Sequence, residues 1–391
     1  MTKTPVRRTP WPESSSRAVV TPLQPSVVYA SESPDALDAQ YEGRAKGYTY
    51  AREGHPNADV LARKIDDLEA ATGGLILGSG MAAISAVMLG LLKSGDHVLG
   101  GNQLYGRTMR MMKEELPRFG VSTTLADPTD AAAMQAALTP ETRLILVEVV
   151  SNPTLRVSDI DGIAALARDR GILLAVDNTF TTPRGFQPFD HGADIVIHSV
   201  TKLLAGHSDA TLGYVAVNDP DRRKQVYDTA VTLGLTPSPF DCWLAERGLY
   251  SFELRYDRAA ENAEKLADAI AGLPNVIRVL YPTRPDHPDH NRATALLGFS
   301  CFNSAGSDSA CTRAAANALV RAAPQIAFAP TLGDIGTTLS HPATSSHRAL
   351  SPGARTELGM TEGVFRVSVG VEDADLLIEE FTAAIGAVAG A

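Results

Sequence analysis

Apolar residues along this chain follow two alternating patterns, helical spacing and short continuous runs. From Asn57 to Ala71 the apolar residues recur at helical spacing with charged residues between them, which predicts an amphipathic helix. The stretch Ile160–Arg170 has a similar pattern. Continuous apolar runs, which are typical of buried strands, lie at Leu75–Leu77, Leu144–Val150, Ile172–Val176, Ile195–Ile197 and Tyr214–Val217. Buried strands alternating with helices indicate an α/β fold with a largely parallel sheet covered on both faces.

The pattern changes after about residue 245. A long helical stretch, Tyr250–Ala271, precedes shorter predicted strands at Asn275–Leu280, Leu297–Phe302 and Phe365–Val369, and a closing helix spans about Ala374–Val388. This order predicts a smaller α+β domain. The first fifty or so residues are rich in Pro, Ser and Thr and show no helical period, so we expect an extended arm. We therefore predict an arm over 1–56, a larger domain over 57–245 and a C-terminal domain over 246–391.

Charge and composition exclude several classes of function. The net charge is −10, which disfavours nucleic acid and anionic membranes as partners because both require a basic surface. The three cysteines are widely spaced and the histidines are spread over predicted loops, so we expect neither a disulfide framework nor a metal site. We find no secretory signal and no apolar run of the length that spans a membrane, and we expect a cytoplasmic protein.

A predicted helix begins at Ser79-Gly80-Met81, directly after a predicted strand. Free backbone N–H groups and the helix dipole make such a helix start a potential anion site. An ordinary strand–helix turn would have the same pattern. The motif is not GxGxxG, so a dinucleotide is not favoured.

Two further residues suggest pyridoxal phosphate. Asp177 ends a predicted strand, where open α/β sheets bind ligands, and its carboxylate could pair with a protonated pyridine nitrogen. Lys202 follows another strand and has apolar neighbours, which favour a desolvated, nucleophilic amine able to condense with an aldehyde. The hydroxyls of Ser199 and Thr201 suit a phosphate. The next segment, Gly206–Asp209, predicts a sharply turned loop with a structural role.

Taken together, the motifs resemble the Cys/Met-metabolism family of pyridoxal-phosphate enzymes from about Tyr48 to Asp375. These enzymes include cystathionine β-lyase, cystathionine γ-synthase, cystathionine γ-lyase, methionine γ-lyase and O-acylhomoserine sulfhydrylases. The motifs that carry the resemblance are Tyr50-Ala51-Arg52, Ser79-Gly80-Met81, Tyr105-Gly106, Asn152-Pro153-Thr154, Asp177-Asn178-Thr179, Ser199-Val200-Thr201-Lys202, Gly206-His207-Ser208-Asp209, Arg247-Gly248-Leu249, His341-Pro342-Ala343 with His347, and Arg366-Val367-Ser368-Val369-Gly370.

The resemblance implies fold type I of the pyridoxal-phosphate enzymes, which is aspartate aminotransferase-like, and a homotetramer built from two catalytic dimers. It implies that Lys202 carries the cofactor as a Schiff base and moves protons, that Asp177 holds the ring nitrogen, and that Tyr105 stacks on the ring. Arg366 would bind the substrate carboxylate and Asn152 would lie near the phenolic oxygen. The phosphate would be held by Gly80, Met81, Ser199 and Thr201 of one subunit, and by Tyr50 and Arg52 of the arm of its neighbour.

Several positions near the expected substrate depart from the relatives. Thr331 keeps a hydroxyl where they carry serine, and Asp334 is a charge where glycine is usual. Pro330 replaces the glutamate of cystathionine γ-synthase and γ-lyase, and Leu332 replaces the tryptophan of enterobacterial-type β-lyases. Arg107 has two interpretations, a site for an anionic distal group of the substrate or an ordinary surface charge.

The sequence therefore predicts a carbon–sulfur lyase similar to cystathionine β-lyase, acting by α,β-elimination. The alternatives are a γ-lyase, including a methionine γ-lyase-like enzyme, or an O-acylhomoserine sulfhydrylase, which is a transferase. A non-catalytic protein of this fold is disfavoured because Lys202, Asp177, Tyr105 and Arg366 are all present. A Rossmann oxidoreductase is disfavoured by the missing glycine fingerprint.

Overall fold

A computed structural model describes residues 12, 14–296, 301–306, 313–346, 348, 351–357 and 359–390. Two sheets organise these residues. The larger sheet has seven strands: β1 (Leu75–Leu77), β2 (His97–Gly101), β3 (Ser122–Ala126), β4 (Thr142–Glu148), β5 (Leu173–Asp177), β6 (Ile195–Ser199) and β7 (Gly213–Val217). Their spatial order is β1-β7-β6-β5-β4-β2-β3. The five strands from β6 to β3 run parallel, whereas β7 is antiparallel to both β6 and β1.

The smaller sheet belongs to the C-terminal third of the chain. It contains β8 (Val276–Leu280), β9 (Cys301–Gly306), β10 (Ala327–Phe328), β11 (Thr338–Ser340) and β12 (Val364–Ser368), in the order β10-β11-β12-β9-β8. All its pairs are antiparallel except β10 with β11.

Fourteen α-helices occur in the described part of the chain. The first seven are α1 (Pro34–Tyr41), α2 (Pro56–Glu69), α3 (Gly80–Leu91), α4 (Gly106–Arg110), α5 (Ala131–Ala136), α6 (Ile160–Arg170) and α7 (Thr182–Gly185). The others are α8 (Pro220–Leu233), α9 (Pro239–Leu249), α10 (Phe252–Ala271), α11 (His290–Leu296), α12 (Arg313–Ala322), α13 (Pro352–Glu357) and α14 (Ala374–Gly386). None of the helices within these ranges has the length and apolar character that crossing a bilayer requires.

Helix α2 shows how the sequence pattern produces this packing. His55 precedes the helix and its Nδ1 accepts the N–H of Ala58, while Pro56 occupies the first turn, where its missing N–H has no cost. Leu61 and Ile65 are one turn apart and fully buried, which stabilises the fold by about 1.5–3 kcal/mol for each side chain. They pack with Tyr214 and Phe252 in a core on one side of the large sheet.

The predicted fold class is confirmed, with a mixed large sheet and a smaller C-terminal sheet. The expectation for the first fifty residues needs one correction: a short helix, α1, interrupts the arm. Ser33 accepts the N–H of Ala36 at its start, and Pro34 fits the first turn, so local capping forms a helix without an apolar period. Four strands were missed, β2, β3, β10 and β11. Part of the predicted strand Leu297–Phe302 lies outside the described residues.

An apolar cluster joins the two sheets. It includes Leu174 and Val176 of the large sheet together with Phe365 and Val367 of the small one, all buried. Because this cluster is closely packed, the large sheet and the small sheet hold a fixed position relative to each other. The division at residues 56 and 245 stays a prediction.

Candidate active site

Lys202 lies directly after β6, and its side chain meets the C-terminal part of the chain. Its backbone N–H donates to the carbonyl of Ser199 at 3.1 Å, which closes a turn at the strand end. The Nζ atom donates to Oγ1 of Thr331 at 3.3 Å. Burial, and then the positive charge of Arg366, lower the pKa of the Lys202 amine. A lowered pKa enlarges the neutral, nucleophilic fraction near neutral pH.

Asp177 is the last residue of β5, at the carboxyl edge of the parallel strands. Its Oδ1 accepts the backbone N–H of Thr179 at 3.0 Å. Burial raises the pKa of the Asp177 carboxyl. Hydrogen bonds from Thr179 oppose that shift, and so does the electrostatic effect of the nearby His198. The neighbouring strand β4 places Glu148 beside Asp177 in register. The carboxyl group of Asp177 at this edge suits a cationic ring nitrogen.

The start of α3 forms a close cradle against the end of β6. A Cβ atom on Gly80 would lie 2.7 Å from the Cβ of Ser199, so a larger residue would fill this space. The Ser79 hydroxyl accepts the N–H of Ala82 at 3.0 Å, and the N–H groups of Gly80 and Met81 precede it in the first turn. A helix start of this kind binds anions, and it fits the phosphate of pyridoxal phosphate.

Arg366 of β12 connects three of the predicted site residues. One of its terminal nitrogens donates to Oδ1 of Asn152 at 3.0 Å, and the other donates to the carbonyl of Thr331. The side chain is buried, and its charge lowers the pKa of Lys202. Asn152, Thr331, Arg366 and Lys202 therefore surround one space, although Asn152 and Arg366 are 214 positions apart in the chain.

The loop after Lys202 is held by contacts that the sequence did not reveal. Gly206 and Ser208 adopt positive φ angles of 75° and 55°, which confirms a sharp turn. The buried guanidinium of Arg255 donates to the carbonyls of Leu203 and Leu204 at 3.0 and 3.1 Å. These bonds satisfy backbone groups that would otherwise lack partners.

Asp334, whose role the sequence left open, also binds this loop. Its carboxylate accepts the Ser208 hydroxyl at 2.5 Å and the backbone N–H of Gly336 at 2.8 Å. The N–H of Ile335 donates to the carbonyl of Gly206 at 2.8 Å. The segment that carries Thr331 and the segment that carries Lys202 are therefore joined directly.

Tyr105 and Arg107 lie at the exposed start of α4. The Tyr105 side chain is 44% exposed, and its backbone N–H donates to Oε1 of Glu148 at 2.6 Å. That contact brings Tyr105 to the edge where Asp177 lies. Arg107 is exposed, and its function stays a prediction.

The remaining predicted residues lie in different surroundings. The Thr201 hydroxyl both donates to the carbonyl and accepts the N–H of Leu212, at 3.2 and 2.9 Å, so its proposed phosphate contact stays a prediction. Tyr50 and Arg52 are exposed and contact each other, with the guanidinium carbon 5.3 Å from the ring centre. His347 lies outside the described residues.

Sequence reasoning missed Glu148 and Arg255, and it named Thr179 only within a motif, without a role. Glu148 stands inside the run Leu144–Val150, which we interpreted as one buried strand. A single acid within an otherwise apolar run was the available signal. Arg255 lies in a helix with many charges and gives no local sign of its burial. Among the described residues, no group of three or more His, Cys, Asp or Glu side chains could hold a metal ion.

Comparison with known proteins agrees with this geometry. The family model for "Cys/Met metabolism PLP-dependent enzyme" matches residues 4–386. Cystathionine beta-lyase MetC of Bacillus subtilis (strain 168) is 38% identical over 384 residues, which cover 96% of this chain and 94% of that protein. L-methionine gamma-lyase of Pseudomonas putida is 35% identical over 386 residues, covering 97% and 95% of the two chains.

A solved structure from Campylobacter jejuni subsp. jejuni NCTC 11168 has the same fold. Its TM-score is 0.90 at 26% identity, and the match covers 96% of this chain and 97% of that one. It carries N'-pyridoxyl-lysine-5'-monophosphate, which is a lysine joined to the cofactor.

Proposed function

Because this chain belongs to the Cys/Met metabolism family of pyridoxal-phosphate-dependent enzymes, we propose that it cleaves a carbon–sulfur bond of cystathionine or a related thioether amino acid by α,β-elimination. The observation that carries the proposal is the meeting of Lys202, Thr331 and Arg366 in one space. A proton-transferring amine and a carboxylate-binding guanidinium beside the cofactor site are what an amino-acid lyase requires.

The residues of the site fit the cofactor. The start of α3, with Gly80 and Met81, and the hydroxyls of Ser199 and Thr201 would hold its phosphate. Asp177 would hold the ring nitrogen, and Lys202 would join the aldehyde. When bound, pyridoxal phosphate supplies an electron sink conjugated to the substrate Cα.

Four side chains would perform the elimination itself. Arg366 would bind the α-carboxylate in a bidentate manner, and the neutral amine of Lys202 would accept the Cα proton. The C–S bond then breaks, and the departing thiolate takes a proton, for which we assign the Tyr105 hydroxyl. Asn152 would orient Arg366 through their 3.0 Å contact. Hydrolysis of the released enamine gives pyruvate and ammonia.

A γ-elimination or an O-acylhomoserine sulfhydrylase reaction is the second candidate, and the likeness to L-methionine gamma-lyase supports it. Pro330 disfavours two of the γ-enzymes, because it places no carboxylate where cystathionine γ-synthase and cystathionine γ-lyase carry glutamate. The proposed Arg107 contact to an anionic distal group also favours a substrate such as cystathionine.

We further propose a homotetramer of two catalytic dimers and a cytoplasmic location. The exposure of Tyr50 and Arg52 supports such an assembly, since both could reach the phosphate of a neighbouring subunit. Apolar residues of the arm, such as Val20 and Val28, are exposed, which supports a neighbouring subunit covering this surface.

Identification of keto-acid products tests the proposed reaction. Purified protein is supplied with pyridoxal phosphate and with cystathionine, methionine or O-acylhomoserine, the last with and without a thiol. Pyruvate from cystathionine supports the proposal, whereas 2-oxobutyrate as the main product contradicts it and favours γ-elimination. The Lys202→Ala variant is the control, and its product formation should fall to background.

A further inference from the structure

Glu148 has no assigned role, yet its contacts connect three parts of the site. Its Oε1 accepts the backbone N–H of Tyr105 at 2.6 Å, and the backbone N–H of Asn152 also donates to its carboxyl group. Tyr105 follows β2, whereas Asn152 follows β4. One carboxyl group therefore accepts backbone N–H groups from two loops, which follow different strands.

The strand register decides which face Glu148 occupies. Glu148 and Asp177 are paired on adjacent parallel strands, which are about 4.8 Å apart. Their side chains share a face because Leu146 and Ala175, two residues earlier, both pack in the same cluster. Glu148 therefore lies beside the acid that would hold the ring nitrogen.

We propose that Glu148 is a positioning residue, which fixes Tyr105 and Asn152 at the cofactor ring by accepting their backbone N–H groups. The action depends on the reach of its oxygen and not on its charge. Burial, and then the charge of Asp177, raise the pKa of the Glu148 carboxyl well above its ordinary value, which favours the neutral acid. A neutral carboxyl oxygen still accepts both N–H groups.

Two substitutions separate the reach of the oxygen from the ionisable carboxyl group. Glu148→Gln keeps an acceptor oxygen at the same distance and removes the ionisable group. Glu148→Asp keeps the carboxyl group, but its shorter side chain withdraws the oxygen from the N–H of Tyr105. The control is Glu114→Gln, which removes a charge from an exposed pair with Arg110 on the surface.

The measurements are the dissociation constant of pyridoxal phosphate from each refolded or resolved apoprotein and the visible circular dichroism of the bound cofactor. We expect Glu148→Gln to stay within about threefold of the wild type with an unchanged dichroic band. Glu148→Asp should weaken binding about tenfold, the equivalent of one lost hydrogen bond of about 1.4 kcal/mol, and alter the band.

Tight binding by Glu148→Asp together with weak binding by Glu148→Gln would show that the carboxyl group is needed whatever its reach, and would overturn the inference. No change in either variant would also overturn it. If Glu148→Asp does not fold, Glu148→Gln still tests the inference, because a loss of more than about threefold contradicts a role by reach. The test of this inference measures only how the cofactor binds and needs no substrate. A wrong choice of substrate would appear in the product assay and leave these measurements unaffected.

Discussion

The Nζ atom of Lys202 donates a hydrogen bond to Oγ1 of Thr331 at 3.3 Å, across 129 positions of sequence. This contact joins the end of β6 to the segment before β11. The Lys202 amine is therefore oriented by a residue of the C-terminal part of the chain. If Lys202 has the proposed role, a change in that contact should affect the rate of the reaction more than the stability of the fold.

Replacing Thr331 should show how far its hydroxyl orients Lys202. We expect Thr331→Val to lower kcat several-fold, because the amine loses a hydrogen-bond acceptor worth about 0.5–1.5 kcal/mol. Thr331→Ser keeps a hydroxyl and should retain most of the wild-type kcat. Steady-state kinetics with cystathionine measure the effect. The exposed Thr356 provides a control, and equal losses in Thr331→Val and Thr331→Ser would contradict the prediction.

Arg366 should set the pH at which Lys202 reacts. Its positive charge lowers the pKa of the Lys202 amine, so Arg366→Met should raise that pKa and leave less neutral amine at neutral pH. The rate at which the apoprotein takes up pyridoxal phosphate is followed by absorbance at a series of pH values. The pH profile of this rate should shift to higher pH in Arg366→Met. An unchanged pH profile in Arg366→Met would show that burial alone lowers the pKa of the Lys202 amine.

Asp177 should destabilise the cofactor-free protein at neutral pH. Its pKa is raised in the folded state, so its contribution to stability is complete below the unfolded-state pKa and is lost as pH rises through the folded value. Asp177→Asn should then stabilise the apoprotein at neutral pH, because the neutral amide has no charge to desolvate.

Thermal unfolding of apo and cofactor-loaded forms at several pH values tests that prediction. The gain should shrink at acidic pH, where the carboxyl is protonated in both states. In the loaded protein the same variant should bind pyridoxal phosphate less tightly, because the ring nitrogen loses its charged partner. A less stable apoprotein at neutral pH would contradict the argument.

Asp334 should matter for the loop that follows Lys202. Asp334→Ala removes the acceptor of Ser208 and of the Gly336 N–H, and we expect a loss of about 1–2 kcal/mol in unfolding free energy, together with lower kcat. Asp228→Ala is the matched control, since that carboxylate forms an exposed pair with Lys224 worth about 0.3–0.5 kcal/mol. Equal stability losses in the two variants would remove the assigned role.

Arg107 should discriminate among substrates by charge. If it binds an anionic distal group, Arg107→Ala raises KM for cystathionine and leaves KM for a neutral thioether unchanged, because only the former offers a second carboxylate. Steady-state kinetics with both substrates provide the measurement. The same KM change for both would assign Arg107 to the general structure of α4.

The sequence by itself determined the kind of fold and where along the chain the candidate site residues lie. Apolar runs and helical spacing report burial locally, so β5, β6 and helices α2 and α6 were predicted within a few residues. Asp177 and Lys202 were found because each follows a buried strand, and in an open α/β sheet the carboxyl ends of strands carry the ligand site.

Only the tertiary structure decided which distant side chains meet. The register of β4 against β5 places Glu148 beside Asp177, and no local pattern encodes a register between strands that are 29 positions apart. The pairing of Arg366 with Asn152 likewise follows from the packing of one sheet against the other. Local periodicity shows that a residue is buried, whereas its neighbours depend on long-range contacts that form when the whole chain folds.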